Sequence, residues 1–251
     1  MAWSPLEQFA IIPLIPIEIG PLYLSFTNSS LFILVTLNLI LVGLKAATRH
    51  GGHLVPNAWE SVGELIYDFV HTVVKEHLAP PAVKQRVFPL IFGTFTFLAL
   101  ANLLGMIPYS VTVTSHFIST LGLACSLFIG ISVVGFQTHG LHFFTILLPR
   151  GVPPALVPFL VILELISYCF RALSLGIRLF ANMMAGHSLV KILCGFAWAM
   201  ASMGGIMYLA CLAPFLIVSA LIGLELGVAI LQAYVFTILI CIYLNDALTL
   251  H

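Results

Sequence analysis

From Val87 to Pro149 the chain carries no Asp, Glu, Lys or Arg. In hydrocarbon every backbone N–H and C=O has to be satisfied within the segment, so a run of this length inside a bilayer folds as helix. It is long enough for two crossings, Phe88–Ile107 and Phe117–Gln137, turned by the polar T-V-T-S-H of Thr112–His116. Composition agrees: of 251 residues 61% are hydrophobic and 7% charged, with a mean hydropathy of +1.15. A soluble domain carries about 25% charged residues. The expected fold class is an all-α polytopic membrane protein.

Several classes drop out early. Formal net charge is zero and no basic run occurs, so nucleic acid has no electrostatic footprint to meet. The cysteines Cys125, Cys169, Cys194, Cys211 and Cys241 all lie in apolar stretches without a C-x-x-C, and read as small core residues. No metal site is expected: His139 and His142 flank a glycine in a polar loop and His116 sits in a turn, short of the three or four ligands required. No Walker A sequence, nucleophile elbow, haem-type histidine pair or mid-span lysine is present, so no cofactor is expected. The opening M-A-W-S-P-L-E-Q-F has neither a charged n-region with a cleavage site nor an Arg/Ser-rich transit pattern. The expectation is that the first apolar span acts as insertion signal, or that the chain is made beside its own membrane.

In chain order, residues 1–25 are punctuated by proline and read as an ordered extramembrane lead-in. Residues 30–47 form a first span ended by Lys45 and Arg49. Over 56–78, Trp59, Val62, Ile66, Phe69 and Val73 recur at helical spacing, with Glu60, Glu64, Asp68 and Lys75 on another face. Such a helix is too polar to cross; it lies in the interface, packs on another subunit, or does both. After the spans at 88–107 and 117–137, P-R-G-V-P-P (149–154) opens the last region, 154–248. Two helical runs there, 155–194 and 214–245, are each roughly 40 residues when the approach to the turn is counted, or about 60 Å, twice the ~30 Å hydrocarbon core. They are expected to form a steeply tilted hairpin turning near Gly204 and Gly205, or to break there. Basic residues cluster between the first and second spans and after the third, which puts the N-terminus outside and, after five crossings, the C-terminus inside.

The hairpin carries the chemistry. Arg178 stands in the apolar run Leu173–Lys191, and a guanidinium stays protonated under any accessible condition. Such a charge at bilayer depth costs roughly 2.5 kcal/mol or more, which marks a partner charge, an ion path or a water-filled cavity. At 100° per residue Glu164, Arg171, Arg178 and Asn182 fall within about 60° of one another. On the second helix Glu225, Gln232 and Asp246 share a face. Folded antiparallel, one register brings His187 level with Glu225, Arg178 with Gln232, and Glu164 with Asp246. Carboxylates and imidazole relay protons; arginine cannot release one. The arrangement reads as two proton-accessible half-paths separated by a fixed cation. His187 lies about 180° round the helix from Arg178, so its path has to arrive from another direction. Two other readings stand beside this one. The pairs could simply hold a membrane scaffold together. A secondary transporter would show an inverted repeat, but residues 1–150 hold no second copy of the Arg178 region.

S-L-G-I-R-L-F-A-N-M-M-A-G-H (Ser174–His187), followed by E-L-G-V-A-I-L-Q-A-Y-V-F (Glu225–Phe236), resembles subunit a of F-type ATP synthases, mitochondrial type. The resemblance extends to N-A-W-E-S-V-G-E-L-I-Y-D-F (Asn57–Phe69) and F-T-F-L-A-L-A-N-L-L-G-M-I-P (Phe95–Pro108), and is least clear at 1–25 and 138–153. It implies a non-catalytic proton channel beside the rotating c ring of the Fo sector. Arg178 then matches the essential cation facing the ring carboxylates, with Asn182 and Gln232 as polar neighbours and Arg171 as a secondary site. His187 and Glu225 match the entry half-channel, Glu164 and Asp246 the exit half-channel. Histidine at the first of the entry positions and glutamate at the second follow the mitochondrial pattern. Implied partners are the c ring (subunit c), peripheral-stalk subunit b, other Fo subunits, lipids and the transported protons, within a dimeric synthase. The implied location is the mitochondrial inner membrane of a plant-like or algal cell, an alphaproteobacterial plasma membrane being the alternative.

Overall fold

The computed structural model describes residues 5–20, 22–23, 25–49, 56–78, 81–107, 110–140, 143 and 156–249. His142 and the P-R-G-V-P-P segment lie outside the described residues. The lead-in folds back on itself as two short antiparallel ladders, β1 (Pro13–Ile15) with β4 (Phe26–Thr27) and β2 (Glu18–Ile19) with β3 (Leu22–Tyr23). Gly20 supplies the positive φ of 62° at the turn between the inner pair.

Helix α1 (Asn28–Thr48) starts on a reciprocal cap. Thr27 N–H donates to Ser30 Oγ at 3.0 Å and Ser30 N–H to Thr27 Oγ1 at 3.5 Å. Asn28 ties the lead-in to this helix end, donating to Ala10 O at 3.1 Å and accepting from Ile12 N–H at 3.3 Å.

Helix α2 (Ala58–His77) begins where Asn57 N–H donates to Glu60 Oε2 at 3.0 Å. Its Val70, Val73 and Val74 are buried in one core with Ile91, Phe95 and Leu98 of α3 (Pro81–Gly105) and with Phe236, Ile240 and Leu244 of α7 (Leu212–Leu248). The chain's own core thus occupies the valine face, while Trp59 and Leu65 on other faces remain 71% exposed.

Helix α4 (Phe117–His139) follows a short 3-10 turn at Val113–Ser115. It packs on α5 (Val157–Met203), which runs 47 residues without interruption, about 70 Å. Ala172, Leu175, Gly176, Leu179 and Met183 are buried on α5. The helices meet closely at Gly176, where a Cβ would stand 3.1 Å from Leu121 Cα and 3.3 Å from Thr120 O. Further along, Tyr168 packs on Phe128 with ring centroids 4.4 Å apart and hydrogen-bonds Ser132 Oγ at 3.0 Å. Gly204 (φ 70°) and Gly205 (φ 63°) make the left-handed turn out of α5, a conformation costly for residues with a Cβ. The short α6 (Ile206–Ala210) and then α7 follow. Among the described residues five helices are long and apolar enough to cross a membrane, and the protein is an all-α polytopic membrane protein.

Because Gly176 abuts backbone rather than a yielding side chain, Gly176→Leu is expected to push α4 from α5 and destabilise the fold by about 1–3 kcal/mol. Thermal denaturation of the detergent-solubilised protein would register this as a lowered midpoint.

Candidate functional site

The α5 face that packs on α4 decides where Arg178 points. With Leu175, Gly176 and Leu179 turned inward, Arg178 and Asn182 both stand exposed on the outer surface of the chain. Gln232 on α7 is 7% exposed, beside Ala229, Ala233 and Phe236 in the interior. Arg178 and Asn182 thus face outward, while Gln232, expected level with Arg178, is held within. Among the described residues Arg178 has no ion pair.

Towards the Gly204 turn a polar wall forms from three elements. His187 Nε2 lies 3.2 Å from Thr112 Oγ1, which is also 3.3 Å from Gly105 O. Thr114 Oγ1 donates to Asn102 Oδ1 at 2.9 Å, and Asn102 Nδ2 donates to Ala229 O of α7 at 3.0 Å. Asn102, in α3, is fully buried, and these bonds satisfy both ends of its amide. Glu225 packs against the α5 backbone beside His187: a Cβ on Gly186 would stand 2.5 Å from Glu225 Oε1. The histidine and the carboxylate expected to pair thus occupy adjacent positions, with no direct hydrogen bond between them among the described residues. The half turn separating His187 from Arg178 aims the imidazole at the α3–α4 connection, which is the other direction of approach that helical spacing demands. His116, in that connection, has a buried Nε2 without a partner among the described residues, and burial pushes its imidazole pKa below the ordinary value.

Asn102, Thr112 and Thr114 escaped the reading of the sequence. A signal existed for the first: it is the one amide in Phe88–Ile107, and an amide in mid-span needs a partner on another helix. Thr112 and Thr114 look like turn residues until the fold folds them inward.

At the opposite end the bonded partner of the carboxylate lies on its own helix. Glu164 accepts a 3.2 Å ion-paired hydrogen bond from Arg171, two turns along its own helix, each side chain 32% exposed. Arg171 Cζ also stands 5.8 Å from the centroid of the Tyr243 ring on α7. Asp246 remains exposed and makes no hydrogen bond among the described residues. His139 Nε2 and Leu248 O, 3.0 Å apart, join the ends of α4 and α7 nearby. His187 and Glu225 sit at the turn-side wall with His116 nearby, Glu164 and Asp246 lie near the open end, and a permanent cation stands outward between them.

The family model described as ATP synthase A chain matches residues 30–245. ATP synthase subunit a of Marchantia polymorpha is 74% identical over 252 residues, covering 100% of both chains. The subunit a of Oenothera berteroana is 68% identical, covering 99% of this chain and 90% of that protein. That of Brassica napus is 67% identical, with 100% and 98% covered.

Glu225 reaches its place only because residue 186 has no Cβ. Gly186→Ala displaces the flexible end of that side chain rather than any backbone, so assembly is expected to persist. Proton conduction is expected to fall roughly tenfold, since misplacing a reacting group by about 1 Å costs up to 100-fold. Dye-monitored proton uptake by vesicles, normalised to the assembled protein, checks this.

Proposed function

The chain belongs to the ATP synthase A chain family, and from that premise we propose how its own residues carry protons to and from a rotor. It is the proton-channel subunit of the Fo sector, embedded in the membrane and without catalytic chemistry of its own. As subunit a it works with the c ring and the other subunits of that sector.

In the proposed path, protons enter through the wall around His187 and Glu225 and protonate a carboxylate on the c ring. That site travels through lipid for nearly a full turn and releases its proton towards Glu164 and Asp246. Arg178 holds the deprotonated ring carboxylate and bars direct passage between the half-channels. Asn182 stands one helical turn along on the same outward side, and Gln232 braces α7 behind. The single observation carrying this reading is that Arg178 is exposed and, among the described residues, without an ion pair in an apolar helix. A guanidinium cannot shed its charge, so at bilayer depth it calls for an anion from another chain. A membrane potential of about 100 mV supplies roughly 2.3 kcal/mol per proton, which becomes torque because loading and unloading occur on opposite sides.

The Glu164–Arg171 pair supports an exit role in which the carboxylate passes between arginine and the leaving proton. Helices α5 and α7, about 70 Å and 55 Å long, lie steeply inclined in this reading, since the hydrocarbon is ~30 Å thick. The amphipathic α2 lies along the interface. The membrane is the mitochondrial inner membrane, with the N-terminus on the intermembrane side and the C-terminus in the matrix. Peripheral-stalk subunit b and a second synthase in a dimer are the further neighbours.

The test is ATP-driven proton pumping in vesicles carrying Arg178→Ala, beside a blot for assembled complex. Normal assembly with pumping abolished is expected. Loss of assembly would instead favour a scaffold role for the hairpin. Arg178→Lys is also expected to fail, because a lysine in this setting can deprotonate and leak. Pumping retained by either variant would overturn the half-channel scheme.

A further inference from the structure

We propose that Thr112 is a positioning residue that fixes which nitrogen of His187 exchanges the transported proton. Its hydroxyl holds Nε2–H, leaving Nδ1 as the proton acceptor. The proposal rests on His187 lying in the entry path.

A threonine hydroxyl has one hydrogen to donate and lone pairs to accept with. Thr112 Oγ1 has two neighbours of different kinds, Gly105 O at 3.3 Å and His187 Nε2 at 3.2 Å. The carbonyl can only accept, whereas the ring nitrogen can donate. Ser110 Oγ also approaches Gly105 O, at 3.2 Å, but stands 2.7 Å from both Leu104 O and Ile107 O. Its single hydrogen goes to one of the nearer carbonyls, which among the described residues leaves Gly105 O to Thr112. The resulting chain runs in one direction, from His187 Nε2–H to Thr112 Oγ1 and from Thr112 O–H to Gly105 O. Every hydrogen then has an acceptor, and the tautomer of the neutral ring is set by the partner of the nitrogen that stays protonated.

The fold holds Thr112 where this requires. The residue is 5% exposed, and its own carbonyl accepts Ser115 O–H at 2.6 Å. Gly105 makes room for it: a Cβ there would stand 2.6 Å from Thr112 Cγ2. Two residues on, Thr114 is bonded to the buried Asn102, which is itself bonded to the α7 backbone. The connection is thereby locked to α3 and α7 on the far side of His187. In operation, Nδ1 accepts the incoming proton and the ring becomes imidazolium with Nε2–H still on Thr112. Nδ1 then passes its proton on, and the same neutral tautomer returns.

The experiment uses the assembled synthase in vesicles, with pumping normalised to complex present. Thr112→Val keeps the shape and removes the acceptor; its flux is expected to drop about tenfold, the lower end of what second-layer partners contribute. Thr112→Ser keeps the hydroxyl and is expected to pump near the parent rate. In parallel, nitrogen-15 NMR of histidine-labelled complex reads the tautomer, with the His187 signal assigned by its loss in His187→Ala. Nε2–H in the parent and the Ser variant, with a mixed ring in the Val variant, is the expected pattern. Nδ1–H in the parent, parental flux in Thr112→Val, or a Ser variant as poor as the Val variant would each overturn the proposal. Should Thr112→Val not accumulate, Thr112→Cys offers a weak acceptor in similar space; lowered flux from its assembled complex supports the proposal and parental flux overturns it. If His187→Ala itself pumps normally, the entry path is misassigned and the proposal falls with it; impaired His187→Ala with intact Thr112→Val would sink the tautomer assignment alone.

Discussion

Hydrocarbon accepts polar groups only when they are paired, and accepts a guanidinium hardly at all. Arg178 is the residue on which that constraint bears hardest, because no change of protonation can relieve it. The neighbouring residues are consistent with a helix built to aim it. Ala172, Leu175, Gly176 and Leu179 are buried on one side of α5, and Gly176 approaches α4 closely enough to touch backbone. Arg178 and Asn182 are left on the outside. A side chain of lysine's chemistry would meet the same surroundings by losing its proton, which is why charge alone does not describe the position.

Polar groups inside the bundle are handled in the opposite way. Asn102 has both ends of its amide occupied, by Thr114 and by the carbonyl of Ala229, and so ties three elements together at one buried point. Thr112 and His187 extend the same wall. The amide of Asn102 inside the bundle is thus satisfied at both ends, while the cation on the surface has no ion pair among the described residues. That contrast separates what the chain completes alone from what it presents to a partner, and it fits a stator that works against a moving ring.

Glycine serves this design by absence. Gly105 admits Thr112, Gly176 admits α4, and Gly186 admits the carboxylate of Glu225, three close approaches that a methyl group would obstruct. In a membrane such contacts matter more than in water, because burying apolar surface from lipid yields little and tight packing carries the association.

Much of this was legible from residue order. Charge-free runs announce spans, because the bilayer penalises charge whatever the fold. A 3.6-residue period puts Glu164, Arg171, Arg178 and Asn182 on one stripe and sends His187 to the other side. The antiparallel register predicted Glu225 beside His187, and the carboxylate does rest on Gly186. Periodicity is a property of one helix, however, and says nothing about which neighbour a face will meet. Glu164 bonds Arg171 on its own helix, where a long guanidinium side chain two turns away reaches it. Gln232 turns inward while Arg178 turns out, because the α4 contact sets the rotation of α5 and the core sets that of α7. Thr112 and Thr114 meet His187 and Asn102 only after the α3–α4 connection folds into the bundle. Local spacing dictated the helices and their stripes; long-range packing chose the partners, since contact between distant segments depends on how whole helices rotate against one another.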